Sequence, residues 1–311
     1  MAEEQGTARR TATLLAIDAG QTGIKTRLIS ADGRSIEALF PGILTDRPLP
    51  PQLAEVVASV GGSPDTVTFG VSGLTDADAE ASALLSHPAL AGVRRVVVTH
   101  DSVTSFLGVL GDRQGAVVAA GTGVVTLGVG PAHSTRVDGW GYIMGDAGSG
   151  YWIGRAALDA VMRAHDGRGP ATSLTAVVRD RWPDLETAYV SLQASEDRVR
   201  TVASFAAATA RLAAAGDDVA TAICREAGRE LALAATTALR VTDAPGDAAV
   251  GAVGGVFGSE LVRTAFEVAV RAERPDVRFV PPAGTGLDGA VSLAGLSARH
   301  PLRERFADLR R

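Results

Sequence analysis

Asparagine is absent from this 311-residue chain, Lys25 is its lone lysine and Cys224 its lone cysteine. A single thiol excludes a disulfide framework and any multi-thiolate metal or iron–sulfur site built within one chain. The missing asparagine fits a GC-rich coding bias. No apolar run is long enough to span a bilayer, and residues 1–12 are polar with no signal-peptide core. A soluble, cytoplasmic protein without a membrane partner is the expectation. Charge of one sign is lacking too. Thirty Lys+Arg against 35 Asp+Glu leave a net charge of -5, and the short arginine clusters read as solvated faces, so no nucleic-acid surface is expected. With 46% hydrophobic residues the chain has ample core, and its length suits two domains.

Glycine is abundant, and two glycine hairpins carry most of the information. The first is AIDAGQTGIKTRLIS, residues 16–30, and the second VVAAGTGVVTLGVG, residues 117–130. Each is an apolar β-run, a tight turn of Gly, Thr and small polar residues, and a second β-run. Gly20, Gln21, Thr22 and Gly23 fill the first turn, and Gly121, Thr122 and Gly123 the second. Glycine leaves no Cβ to block a ligand, and the exposed N–H groups and Thr hydroxyl can hold phosphate oxygens. Two such turns, a domain's length apart, suggest two related halves closing on one nucleotide. GQTGIKT is not a P-loop: Ile24 stands where the glycine before Lys25 is required, and TRLIS reads as a strand where a P-loop needs a helix.

Between the hairpins the pattern predicts strands at 38–40, 66–71 and 95–99 and helices at 52–60, 76–85 and 102–110, with turns at the Pro-Gly and Pro-Pro pairs of PGILTDRPLPP. After the second hairpin come a glycine-rich loop at 139–154 and an Ala, Arg and Leu-rich stretch of several helices at about 155–240. Its alanine-rich part, 203–240, reads as core or as a dimer face. A strand at 249–253, a turn at 254–258 with Ser259 capping the next helix, a strand at 277–280 and a helix from Ala290 complete the pattern. This predicts an α/β protein with domains at 1–112 and 113–311, the second carrying the helical insertion.

Asp18 ends a core run beside the first turn, where a carboxylate can hold Mg²⁺; the alternative is a turn hydrogen bond. Asp101 ends RVVVTHD and opens into the crevice where α/β proteins bind ligands. It can accept a proton from an attacking hydroxyl, or it can be the N-cap of the helix from Ser102; on the residues alone both readings stand. His100 reads as a packed or satisfied histidine. Asp146, in GDAGSG near Trp140, Tyr142 and Trp152, offers a charged acceptor beside flat apolar faces, a mix suited to a sugar, with Trp152 itself expected in the core. Gly254 and Gly255 allow close approach of a base or ribose.

Taken together, DAGQTGIKT, GVSG, HDS, AAGTGVV, GWGYIMGDAGSGYWIGRAAL, HDGRGPAT, GGVFGS and PPAGTGLDGA resemble the BadF/BadG/BcrA/BcrD-type ATPase family, in its N-acetylglucosamine kinase-like branch within the sugar kinase, Hsp70 and actin superfamily. The resemblance runs over about residues 14–296. It implies two ribonuclease H-like (actin-like ATPase) domains with ATP in the cleft between them, and a homodimer. It implies Asp18 as the Mg²⁺-associated residue, and Asp101 as the base that deprotonates the sugar 6-hydroxyl. Gly20 to Gly23 and Lys25 with Gly121 to Gly123 would form the phosphate sites, Gly254 and Gly255 the adenosine turn. Ser72, Thr122, Gly139, Trp140 and Asp146 would be sugar contacts. The chain departs from the family in having His100-Asp101-Ser102 where Asn-Asp-Ala is frequent, Ala147 for an acidic residue, Val124 for serine, and no Asn in the 41–51 loop.

An ATP-dependent kinase of an amino sugar or related hexose is therefore the leading expectation. Two others stand beside it. One is the ATPase activator of a 2-hydroxyacyl-CoA dehydratase, which shares an iron–sulfur cluster between subunits and needs two cysteines from each. The other is a catalytically silent sugar or nucleotide sensor.

Overall fold

The computed structural model describes residues 13–44 and 46–311, so the polar stretch 1–12 lies outside the described residues. Two units are separable: one runs to Gly111 and resumes over Ala283–Arg311, the other is Asp112–Pro282.

In the first unit β1 (Leu14–Ala19) and β2 (Ile24–Ile29) form the expected hairpin, extended by β3 (Ser35–Phe40). Helix α1 (Leu49–Val60) starts with Pro50 and Pro51 in its first turn, where a missing N–H costs nothing; the sequence reading had this pair as a turn. Then come β4 (Thr66–Val71), α2 (Ala77–Ser86, capped by Asp76), β5 (Arg95–His100) and α3 (Asp101–Leu110). Leu15, Ile17, Phe69, Val96 and Val98 pack on Leu53 and Leu84 of α1 and α2. Ala16 faces the other way, so the central strands are buried on both sides and read as continuous apolar runs.

The second unit repeats the plan. β6 (Gly115–Ala120), β7 (Val124–Val129) and β8 (Ser134–Val137) form a meander. Five helices follow: α4 (Gly150–His165), α5 (Leu174–Arg181), α6 (Leu185–Ala194), α7 (Arg198–Ala214) and α8 (Asp218–Val241). The glycine-rich loop is shorter than read, because Ser149 caps α4 and residues 150–154 are helical. β9 (Ala249–Val253), a 3-10 turn at Gly255–Gly258, α9 (Glu260–Glu273, capped by Ser259) and β10 (Arg278–Phe279) close this unit. Ala213, Ala227, Ala235 and Ala238 of α7 and α8 sit in its core, as does the fully buried Cys224.

The last elements return to the first unit. α10 (Gly286–Leu293) begins before Ala290, the start expected from the sequence, because Thr285 and Asp288 form a capping box. Its Leu287 and Ala290 cover Ala16, and β11 (Phe306–Arg310) pairs antiparallel with β5. Residues 283–311 were expected in the second domain; these long-range contacts put them in the first unit instead. The two sheets then share one order. It is β3-β2-β1-β4-β5 in one and β8-β7-β6-β9-β10 in the other, with β11 added at the end of the first. In both, the first three strands are antiparallel and the fourth and fifth parallel. Among the described residues no helix is long and apolar enough to cross a membrane.

Candidate functional site

In the first unit the chemistry gathers at the C-terminal ends of β1, β4 and β5. Asp18 stands in register with Lys25 across the hairpin and with Gly70 on its other side. The first residue of α10, Gly286, lies against the carboxylate: a Cβ there would be 2.8 Å from Asp18 Oδ2. A helix N-terminus favours a negative charge at that point. Burial nevertheless raises the Asp18 carboxyl above the ordinary carboxylate range, the charge of Asp101 raises it further, and Lys25 opposes both. Asp18, Asp101 and Lys25 thus share one electrostatic neighbourhood. Among the described residues no three His, Cys, Asp or Glu side chains cluster as a metal cage. Mg²⁺ needs no such cage, since it is held by one or two carboxylates with water and phosphate oxygens, so a desolvated Asp18 fits that ion.

The first turn is closed by the Gly20 N–H donating to Gly23 O at 3.1 Å, and the Ile43 N–H donates to Gly20 O at 3.1 Å. Gln21 and Thr22 are left exposed at its tip. The Ser72 N–H donates to Ala19 O at 2.9 Å, which holds Ser72 beside this turn.

Asp101 is the first residue of α3 but not its cap. His100 is the N-cap, its Nδ1 accepting the Ser102 N–H at 3.1 Å, so the N-cap reading of Asp101 is corrected. The Asp101 side chain is 30% exposed, yet its Oδ1 is inaccessible and makes no hydrogen bond among the described residues.

In the second unit the Gly121 N–H donates to Gly123 O at 2.8 Å, the same closure as in the first hairpin. This turn is docked on the start of α4, with the Gly150 N–H on Gly121 O at 2.8 Å and the Tyr151 N–H on Thr122 O at 2.9 Å. Asp146 turns its carboxylate to the turn: a Cβ on Gly123 would be 2.6 Å from Asp146 Oδ2. Burial and the charge of Asp138 raise the Asp146 carboxyl, against the N–H groups of Val124 and Gly141.

Gly121 and Thr122 also line a pocket of about 820 Å³ in this unit, within the usual range for a small-molecule site. Its long wall is the alanine face of α7, with Ala203, Ala207 and Ala210, and its far end is Gly255, Gly258 and Ser259. Arg200 and Arg211 stand on the same helix. Cys224 lies on the lining, where burial pushes its thiol up to about 11 and keeps it an apolar wall. Gly254 precedes the pocket with φ 100° and ψ 165°, a conformation essentially reserved for glycine. The arrangement suits a planar base and ribose between alanines and glycines, with phosphates running to Gly121 and Thr122.

Trp140 is separate from this pocket's lining. It is 60% exposed on the Gly139–Gly145 loop, with the Arg136 guanidinium 4.7 Å over its ring. Trp152 packs half-buried on the core as expected.

Sequence reasoning missed three contributors. The α7 wall shows helical periodicity, which identifies an apolar face but not what lies on it. The capping box at Thr285 and Asp288, which sets Gly286 on Asp18, was legible as T-x-x-D. Asp138 was not singled out, although an Asp at the mouth of a glycine-rich loop is a turn-former. Its Oδ1 accepts the Gly139 N–H at 2.7 Å and the Asp146 N–H at 2.8 Å, and its Oδ2 the Ala147 N–H at 2.9 Å. Asp138→Ala should therefore cost about 2 kcal/mol and speed amide exchange across 139–147, read by hydrogen-exchange mass spectrometry; wild-type exchange there would exclude this clasp.

The BadF/BadG/BcrA/BcrD ATPase family matches residues 17–294. An N-acetylmuramic acid/N-acetylglucosamine kinase of Clostridium acetobutylicum is 28% identical over 213 residues, 64% of this chain and 67% of that one. An N-acetyl-D-glucosamine kinase of Dictyostelium discoideum is 44% identical over 75 residues, 24% of each chain. A crystal structure from Chromobacterium violaceum, described as that of a candidate N-acetylglucosamine kinase, superposes with a TM-score of 0.73 at 25% identity, covering 91% of this chain and 99% of that one. With both sheets in one strand order, a glycine turn in each unit and these matches, the fold is that of the actin-like ATPases, and the chain belongs to the BadF/BadG/BcrA/BcrD ATPase family.

Proposed function

We propose that this protein is an ATP-dependent kinase that phosphorylates a hydroxyl, O6 by preference, of N-acetylglucosamine, glucosamine or a related amino sugar. The observation that carries the reading is Asp101: a partly exposed carboxylate directly after a central strand, coupled in charge to Asp18. The relatives named as N-acetylglucosamine kinases support the substrate class.

On this reading Asp101 accepts the proton of the sugar hydroxyl while that oxygen attacks the γ-phosphorus of ATP. Asp18 would hold Mg²⁺, which supplies neutralising charge to the transferring phosphoryl group when bound. The amides of Gln21 to Gly23 and of Gly121 to Gly123, with Lys25, orient phosphate oxygens, and the alanine-walled pocket takes the adenosine. Ser72, Gly139, Trp140 and Asp146 are proposed to serve the sugar, Asp146 by bracing the loop that carries Trp140. A homodimer and a cytoplasmic site of action belong to the same proposal.

The test is ADP release with Mg-ATP against N-acetylglucosamine, glucosamine, N-acetylmannosamine, N-acetylmuramic acid, glucose and no sugar. Turnover that depends on one of these sugars is expected. Equal turnover without sugar would favour the ATPase activator, and sugar binding without any turnover the sensor.

A further inference from the structure

Three residues at the start of α3 form an arrangement that the phosphoryl transfer itself does not require. His100 Nδ1 lies 2.9 Å from Asp101 Oδ1, 2.9 Å from Ser102 Oγ and 3.1 Å from the Ser102 N. The Ser102 N–H points at Nδ1, so Nδ1 is the acceptor there and carries no proton. Two acceptors, Nδ1 and Asp101 Oδ1, therefore face each other at hydrogen-bond distance with no proton between them, and Oδ1 is left without a partner. A second proton on the ring changes both contacts. It ends the acceptance from Ser102, and it sets a positive charge 2.9 Å from Asp101 Oδ1.

We infer that His100 is a positioning residue for Asp101: the neutral imidazole caps α3 and leaves the carboxylate free, and the protonated imidazole captures it. The inference rests on the proposed role of Asp101 as the base. Imidazole is the side chain whose charge changes between about pH 5 and 8, where a carboxylate of ordinary character stays ionised. Transfer is thus tied to an event on His100 as well as to the state of Asp101 itself.

Other charges act on this pair. β4, in register with β5 at Val71 and His100, brings no titratable group. Asp18 and Lys25 lie beyond Asp101 on β1 and β2. α2 carries Asp76, Asp78 and Glu80, and packs on β5. The turn beside the end of β5 carries Arg303, Glu304 and Arg305, and β11 carries Asp308 and Arg310, with Asp308 held by Arg95. On α10, which packs on α3, Asp288 is held by Arg27. Asp101 is the acidic group in direct contact with the ring.

The experiment has two arms on the full chain. In the first, the imidazole of His100 is titrated by NMR in wild type and in Asp101→Asn, with no turnover assay involved. The inference requires the two midpoints to differ, with that of Asp101→Asn the lower; an unmoved midpoint overturns the inference. In the second, kcat/KM for the accepted sugar is followed against pH in wild type and in His100→Asn, whose amide also caps a helix but takes no proton. Each curve is normalised to its own plateau. Wild type should fall about tenfold per pH unit below the imidazole midpoint, and His100→Asn should hold its plateau down to the carboxylate range. The same acid limb in both proteins overturns the inference. If His100→Asn does not fold, the NMR arm decides alone. Failure of the kinase reading is seen separately, as wild type that turns over none of the sugars.

Discussion

Asp101→Asn is expected to lower sugar-dependent ADP formation by about 10³-fold while ATP binding stays nearly unchanged. The amide is isosteric with the carboxylate but cannot take the hydroxyl proton, and a positioned general base contributes about 10²- to 10⁴-fold. The fold should not suffer, because the cap of α3 is His100 and not Asp101. One electrostatic side effect has a definite sign. The charge of Asp101 helps raise the Asp18 carboxyl, so its removal should let Asp18 ionise at lower pH. Single-turnover ADP release, nucleotide titration by calorimetry and an Asp18 carboxyl titration by NMR together check the set. Wild-type turnover in Asp101→Asn would remove Asp101 as the base, whatever the other two measurements give.

Gly254→Ala is expected to damage both the second unit and the pocket proposed to take the nucleotide. Two independent costs meet at this residue. Its backbone lies at φ 100°, ψ 165°, where an L side chain is strained by about 1–3 kcal/mol. A Cβ would also collide with the Ala120 carbonyl oxygen, a backbone atom that cannot move without disturbing β6 and the turn after it, at a further cost of about 1–3 kcal/mol. The sum, about 2–6 kcal/mol, corresponds to a fall in melting temperature of at least about 4 °C. The surviving folded protein should bind ATP more weakly, because Gly255 and Gly121 line the same pocket on either side of the forced contact. Differential scanning calorimetry with and without Mg-ATP reads both effects. Gly255→Ala is the control: a Cβ there meets nothing within 4 Å, and it should melt close to wild type. Equal melting of Gly254→Ala and wild type would mean that this turn tolerates a side chain and that its conformation is not what shapes the pocket.

How much of this was legible beforehand depends on how far each signal reaches along the chain. Both hairpins, the strand at 66–71 and the Ser259 cap follow from patterns a few residues long, and they formed where the residues said. Such elements are decided by local alternation, glycine placement and capping chemistry, which act within a turn or two. The T-x-x-D box of α10 is equally local. The assignment of 283–311 was of another kind. Pairing of Phe306 with Thr99 joins residues 207 apart, and nothing in FADLR names its partner strand. Whether Asp101 or His100 caps α3 turned on one residue's backbone angle, which a pattern of apolar positions cannot resolve.

The sequence by itself determined the two hairpins, their glycine turns and the family, because each is written in short runs of residues whose chemistry is local. Tertiary structure alone decided which distant groups meet: Gly286 against Asp18, Asp146 against Gly123, and the alanines of α7 across from Gly255. The reason is physical. Periodicity specifies that a face is buried, whereas its partner is chosen by close packing of the whole unit, where a shift of one residue in register would send each of these side chains to the opposite face of its sheet or around its helix.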